Sequence, residues 1–287
     1  MGDWSRAGKR EPTKMLDSIT TVEKRKLAQQ AAEVGGFAAD QIKAVGLGLP
    51  GLVDNKTGYV IQTPNMPFDN TPIREMFQAE WDVPVYLGND ANCAALAEQV
   101  AGAAVGHDNV VLVTLGTGVG GGIIIGGRIY DGMRGAGAEL GHTLLVMDGE
   151  PCTCGRRGCW EAYSSATALI RQACQAAARH PDSLLARLAD VNGKTVFDAA
   201  DRGDETARAV VDRYCDYLGA GLVNIVNALA PEVILIGGGI SRQGERLLAP
   251  VRRYVERNCF GGKDGAVPVI APAKLGNEAG IIGAAAL

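Results

Sequence analysis

Residues 139–161 read E-L-G-H-T-L-L-V-M-D-G-E-P-C-T-C-G-R-R-G-C-W-E, and the reading of this stretch decides the rest. Cys152, Cys154 and Cys159 form C-x-C-x4-C, with His142 ten residues ahead of the first cysteine. Three thiolates and one imidazole fill the four tetrahedral positions of a structural zinc. Gly155 and Gly158 let the chain fold tightly around a metal. The competing reading is a chance cluster or a disulfide pair. The knuckle-like spacing of all four donors, in a chain without a disulfide framework, favours zinc.

E-x-G-H followed by C-x-C-G-x-x-G-C-x-E resembles the signature of the ROK family of repressors, open reading frames and sugar kinases. The resemblance covers nearly the whole chain. It implies an α/β fold of the two-lobed, actin-like or hexokinase-like ATPase kind, related to ribonuclease H. It implies that His142, Cys152, Cys154 and Cys159 hold zinc, and that Glu139, His142 and Glu161 touch a sugar. The chemistry is sound on its own terms. Sugar hydroxyls are donors, carboxylates accept them in short charge-assisted bonds, and a metal-fixed loop holds those acceptors in place.

Composition sets the outer limits. A chain of 287 residues with 47% hydrophobic content can build two ordinary lobes. A net charge of −4 argues against a nucleic-acid surface, which needs clustered Lys and Arg. The longest mostly apolar run, residues 218–236, is broken by Asn224, Asn227, Pro231 and Glu232, so no membrane span is expected. The seven cysteines fit reduced thiols in a cytoplasm, with Cys93, Cys174 and Cys215 expected as plain core residues. His107 and His180 are expected on the surface without partners.

Taken in order, residues 15–34 carry helical periodicity, ended by Gly35-Gly36. Residues 42–47 read as a buried strand, followed by a turn over 48–54 in which Pro50 and Gly51 allow close approach of a ligand. Residues 83–87 form a strand that runs through Gly88-Asn89-Asp90 into a helix over 93–100. Asp90 thus lies at a strand end near a helix N-terminus, where open α/β sheets bind ligands and where the dipole favours an ionised carboxylate. A simple N-cap is the bland alternative for Asp90. Residues 110–115 form a β-branched strand feeding a glycine loop, 116–122, and then a strand over 123–125. This is neither a P-loop nor a dinucleotide fingerprint, since both open a helix. Glycines can still offer successive N–H groups to phosphate oxygens. Residues 166–222 are mostly helical, 218–230 an apolar helix, 233–236 a buried strand, 241–258 a helix, 267–270 a strand, and 276–287 a small-residue helix.

The resemblance assigns further roles. It implies Asp90 as catalytic base, and Gly51, Asn65, Asn89 and Asp90 at the sugar beside Glu139, His142 and Glu161. It gives the ATP side to Thr114, Gly116, Thr117, Gly118 and Gly120, with Gly237, Gly238 and Gly239 beside the adenosine. It implies a small lobe over 1–92, a large lobe with the zinc over 93–274, and a final helix over 275–287 returning to the small lobe. The family's opening D-x-G-G-T-type hairpin is not found, so residues 1–14 resemble the tail of that meander. As read, the chain is expected to bind glucose yet phosphorylate it poorly. The expected activity is ATP- and Mg²⁺-dependent phosphorylation of a hexose at its 6-hydroxyl, glucose first, by a cytoplasmic homodimer. An N-acetylmannosamine or fructose kinase is the alternative, against which Leu52 stands where the former tend to carry Arg. A non-catalytic sugar-binding protein is the rival from another class. The repressor branch, which adds a helix-turn-helix, is disfavoured.

Overall fold

The computed structural model describes Gly36, Ala38, 41–63, Met66, 68–79 and 82–287. The expected helix over 15–34, and Asn65, lie outside the described residues.

The centre of the molecule is a five-stranded sheet built from β6 (Val110–Leu115), β7 (Val119–Ile125), β8 (Arg128–Ile129), β9 (Val233–Gly237) and β10 (Val269–Pro272), in the order β10-β9-β6-β7-β8. β6 to β8 form an antiparallel meander, while β9 and β10 run parallel to β6. This is the strand order of a ribonuclease H-like unit. β9 reads V-I-L-I-G and is buried throughout, as a parallel strand covered on both faces must be. The period of two then sorts its residues between two cores. Val111, Val113, Leu115, Ile234 and Ile236 face one core. Val110, Leu112, Val233 and Leu235 face the other.

Ahead of this sheet lie a parallel pair, β1 (Val45–Leu49) and β5 (Val85–Asn89), and a small antiparallel sheet of β2 (Leu52–Asp54), β3 (Tyr59–Gln62) and β4 (Asp69–Thr71). The expected turn over 48–54 is therefore shorter: Gly48 and Leu49 pair with Gly88 and Asn89, and β2 starts at Leu52. Between β4 and β5 runs α1 (Ile73–Gln78). After β5 comes α2 (Asp90–Ala101), three residues longer at its start than its apolar period suggested. The helical region holds α3 (Glu161–Ser164), α4 (Ala166–Arg179), α5 (Gly193–Asp201) and α6 (Glu205–Leu229), followed later by α7 (Glu245–Asn258) and α8 (Ala279–Ala285). α6 is one continuous helix, where a separate one was expected from residue 218. α4, α6 and α7 supply much of the larger core.

The clearest departure concerns the glycine loop. Gly120, Gly121 and Gly122 are not loop residues but pair with Thr114, Val113 and Leu112 inside β7. They lack side chains because both faces of the strand are occupied at contact distance. A Cβ on Gly122 would lie 2.4 Å from the Ala91 carbonyl oxygen, and one on Gly121 would lie 2.5 Å from that of Ala138. α2 thus rests directly on β7. Two smaller corrections follow from burial. Cys174 is exposed on α4, whereas Cys93, Cys215 and Cys259 are buried. His107 is not partnerless: its Nδ1 lies 3.9 Å from Glu232.

α8 packs on α2 and β1 through a close pair of glycines. A Cβ on Gly283 would sit 1.7 Å from the Cys93 carbonyl oxygen, and one on Gly46 would sit 1.7 Å from that of Ala284. Gly280, on the same helix, faces open space. Gly283→Ala is expected to cost roughly 1–3 kcal/mol, as overpacking against rigid backbone does. Gly280→Ala should be neutral or stabilising by up to about 1 kcal/mol. Urea unfolding of the two variants checks the contrast, and equal midpoints would rule the packing account out.

Candidate active site and metal centre

Four strands end on the same theme, a glycine or a short polar side chain at the carboxyl edge, where open α/β sheets present ligands. β1 runs into Pro50-Gly51, β5 into Asn89-Asp90, β6 into Gly116-Thr117-Gly118, and β9 into Gly237-Gly238-Gly239. Thr114 pairs with Gly237, so the last two turns lie side by side.

The N-cap of α2 is Asn89, not Asp90. The Asn89 Oδ1 accepts from the N–H groups of Ala91 (2.9 Å) and Asn92 (3.2 Å), and its Nδ2 donates to the Gly51 carbonyl at 3.0 Å. Both ends of this amide are spent on the protein, so it ties the Pro50-Gly51 turn to the start of α2. Gly51 has φ +91°, and a Cβ there would meet the Gln62 carbonyl oxygen at 2.2 Å. Its lack of a side chain serves this chain's own packing before it serves any ligand.

With the cap filled by its neighbour, Asp90 takes the first helical position and its carboxyl is left to face outward. Its side chain reaches solvent, yet the atoms crowded around it strip enough water to raise its pKa above 3.8. The backbone hydrogen bond from Ala91 opposes that rise without cancelling it. Desolvation thus works against the helix N-terminus, which favours the ionised form. Glu139 behaves alike. Burial raises it first, the charges of Asp90 and Glu161 raise it further, and His142 works against them. Both carboxyl groups are thus partly desolvated yet open to solvent. These effects place Asp90, His142 and Glu161 each within electrostatic reach of Glu139.

Glu161 opens α3 and links two parts of the site. Its Oε2 accepts from the Val119 N–H at 3.0 Å, at the exit of the glycine turn. Its Oε1 accepts from the Thr153 hydroxyl at 3.0 Å and lies 3.5 Å from the Cys152 sulfur. At Gly116 and Gly239 an added Cβ would meet nothing within 4 Å. At Gly118 it would strike Glu161 at 2.2 Å, and at Gly238 (φ +82°) the Leu115 carbonyl at 2.3 Å. Gly116 and Gly239 are therefore the points where the backbone lies open to close approach from the cleft.

The donor atoms of His142, Cys152, Cys154 and Cys159 all lie within 4.8 Å of one another. Cys152 Sγ is 3.6 Å from His142 Nδ1, and the sulfurs of Cys154 and Cys159 are 3.6 Å apart. A disulfide needs about 2.0 Å, so these are free thiols. Tetrahedral zinc with thiolates at about 2.3 Å and imidazole at about 2.0 Å needs edges of roughly 3.5–3.8 Å. The donor set fits, and the two separations of 3.6 Å match such edges. Burial pushes the Cys152 thiol up to about 12. Burial also works to raise Cys154, but hydrogen bonds from Arg156 and its sister thiols outweigh it and bring that thiol down to about 6. Gly158 (φ +80°) packs against the Val146 carbonyl, and Trp160 buries its ring against Gly221 while its indole N–H donates to the Tyr217 carbonyl at 3.0 Å. The segment is thus fastened to α6. Nothing in the sequence singled out Trp160 or the Tyr163 hydroxyl, which accepts from the Glu150 N–H at 2.7 Å.

Fold and site define the class, a two-lobed α/β protein of the actin-like and hexokinase-like ATPase fold. The chain belongs to the ROK family, whose model matches residues 13–287. It is 43% identical to a glucokinase of Halalkalibacterium halodurans over 83% of this chain and 74% of that protein. It is 39% identical to a glucokinase of Streptomyces coelicolor over 96% of this chain and 89% of that one. The crystal structure of a ROK family glucokinase from Streptomyces griseus in complex with glucose and AMPPNP matches with a TM-score of 0.74 at 37% identity, covering 91% of this chain and 86% of that one.

Removing one donor tests the metal centre. Cys154→Ser is expected to lower the thermal midpoint by at least about 5 °C and to leave the protein short of zinc. Elemental analysis beside differential scanning calorimetry reads both. A wild-type protein with less than about half an equivalent of zinc per chain excludes the assignment.

Proposed function

We propose that this protein is an ATP-dependent hexose kinase that phosphorylates glucose at its 6-hydroxyl. The observation that carries this reading is the gathering of Asp90, His142 and Glu161 around Glu139, with Glu161 set against Gly118 and Val119 of the glycine turn, within a ROK chain similar to glucokinases. Glu139, Glu161 and His142 hold the sugar hydroxyls, with Asn65 and Asn89 completing the set. Glu161 is engaged with Val119 and Thr153, so sugar contact requires it to share or exchange those partners. Asn89 acts chiefly by positioning, since its amide already fastens Gly51 to α2. Gly51 shapes the same turn.

Asp90 accepts the proton of the 6-hydroxyl as that oxygen attacks the terminal phosphorus of ATP in line. A carboxylate raised by desolvation is a better base than an ordinary one. Thr114, Gly116, Thr117 and Gly118 face the phosphates, Gly120 acts from within β7, and Gly237, Gly238 and Gly239 lie beside the adenosine. Mg²⁺ bound with the nucleotide supplies charge neutralisation. His142, Cys152, Cys154 and Cys159 hold a structural zinc. The small lobe ends near residue 92, the large lobe near 274, and α8 returns to the first. A cytoplasmic homodimer without nucleic-acid contacts completes the reading. No helix among the described residues is long and apolar enough to cross a membrane.

Asp90→Asn separates the roles. Turnover of glucose should fall by roughly two to four powers of ten with little change in sugar affinity. A raised folded-state pKa means that Asp90 contributes stability below it and loses that contribution as pH rises through it. At neutral pH the Asn variant should therefore unfold no earlier than wild type. The wild-type rate should decline on the acid side with an apparent pKa above 3.8. A coupled assay for glucose 6-phosphate and a thermal melt decide the matter. Near-normal turnover in Asp90→Asn would place the base elsewhere, and no turnover in wild type would favour the non-catalytic sugar-binding reading.

A further inference from the structure

A cleft of about 360 Å³ opens between α4 and α6, and its lining includes none of Asp90, Glu139, His142 and Glu161. Its size falls within the roughly 300–1,000 Å³ of small-molecule sites. In a chain of net charge −4, three guanidinium groups, Arg171, Arg179 and Arg213, line it against the single carboxylate of Glu150. Arg171 is spent on that carboxylate. Arg179 and Arg213 have no ion-pair partner among the described residues. Arg213 lies instead over the ring of Tyr217, 5.6 Å from its centroid, and Tyr217 packs on Tyr163 at 4.7 Å. A guanidinium set over an aromatic ring keeps N–H donors available, and Arg presents those donors in the fork that matches phosphate oxygens. Like charges gathered in a concavity with low-dielectric walls focus their field on an anion. Glu150 leads directly into Pro151 and Cys152, so the cleft backs onto the metal segment.

We propose that this cleft is a second binding site, separate from the sugar site, for a small phosphate-bearing molecule held by Arg179 and Arg213 over the tyrosine pair. The ligand chemistry is a phosphate group, free or esterified to a small polar body. The inference does not depend on kinase activity. Isothermal titration of the full chain with inorganic phosphate and with glucose 6-phosphate, on wild type and on R179Q/R213Q, tests it. Phosphate taken up at the glycine turns is common to both proteins and cancels in the comparison. The expected result is at least a tenfold weaker or absent second binding event in the double variant, with R179K/R213K keeping part of it. The ligand-free melting midpoint should be unchanged, since both residues are exposed. Loss of both ligands identifies the phosphate group as the recognised feature. Loss of glucose 6-phosphate alone identifies a phosphate ester, rather than free phosphate, as the ligand the two arginines hold. Coincident isotherms for wild type and double variant, or a wild type that binds neither ligand, overturn the proposal.

Discussion

The convergence of four soft donors in residues 142–159 is the constraint on which the site depends. His142 stands three residues after Glu139, and Cys159 stands two before Glu161. A metal closed over His142, Cys152, Cys154 and Cys159 would therefore fix the positions of both glutamates. The segment has almost no regular structure of its own: isolated bridges pair Leu144 with Cys159 and Pro151 with Arg157, and little else repeats. A stretch so poor in ladder hydrogen bonds needs another source of order, which a metal held by the four donors would supply. Trp160 ties the end of that piece to α6, and Tyr163 ties α3 back to Glu150 within it.

The other half of the site is set by close backbone approach. Asp90 reaches the cleft because α2 begins at the end of β5 and lies directly on the bare glycines of β7. The same helix receives α8 through Gly283. A second restraint acts at the far end of α2. Glu98, fully buried, accepts from the N–H groups of Ala103, Lys274 and Leu275, so one carboxylate joins the two chain segments that pass there. Three N–H donors satisfy a group that would otherwise be costly to bury.

The parts of this arrangement legible in the sequence are those with a local signal. The β-branched runs of β6 and β9, the C-x-C-x4-C spacing and the strand-to-helix passage through Asn89-Asp90 all announce themselves within a few residues. Gly120 to Gly122 misled because a strand without side chains has no period of two to read. The Asn89 cap was hidden by Asp90, which prefers the same position equally well. β3 and β4 are short and carry weak patterns. The pairing of His107 with Glu232, and the ties of Glu98 and Glu161, join residues far apart in sequence, which only the fold brings together. Cys174 looked like core by helical position, but it lies on the exposed side of α4.

The central claim is that metal ligation, rather than local secondary structure, holds Glu139 and Glu161, the carboxylates proposed to bind sugar, in place. Its most direct test is stepwise removal of metal from the native protein with a competing chelator. Zinc content, glucose affinity by calorimetry and the unfolding midpoint are followed in the same samples. The account predicts one zinc per chain, glucose affinity and midpoint falling together as zinc is withdrawn, and both restored when zinc is returned. A metal-free protein that binds glucose as tightly as the native one would contradict it.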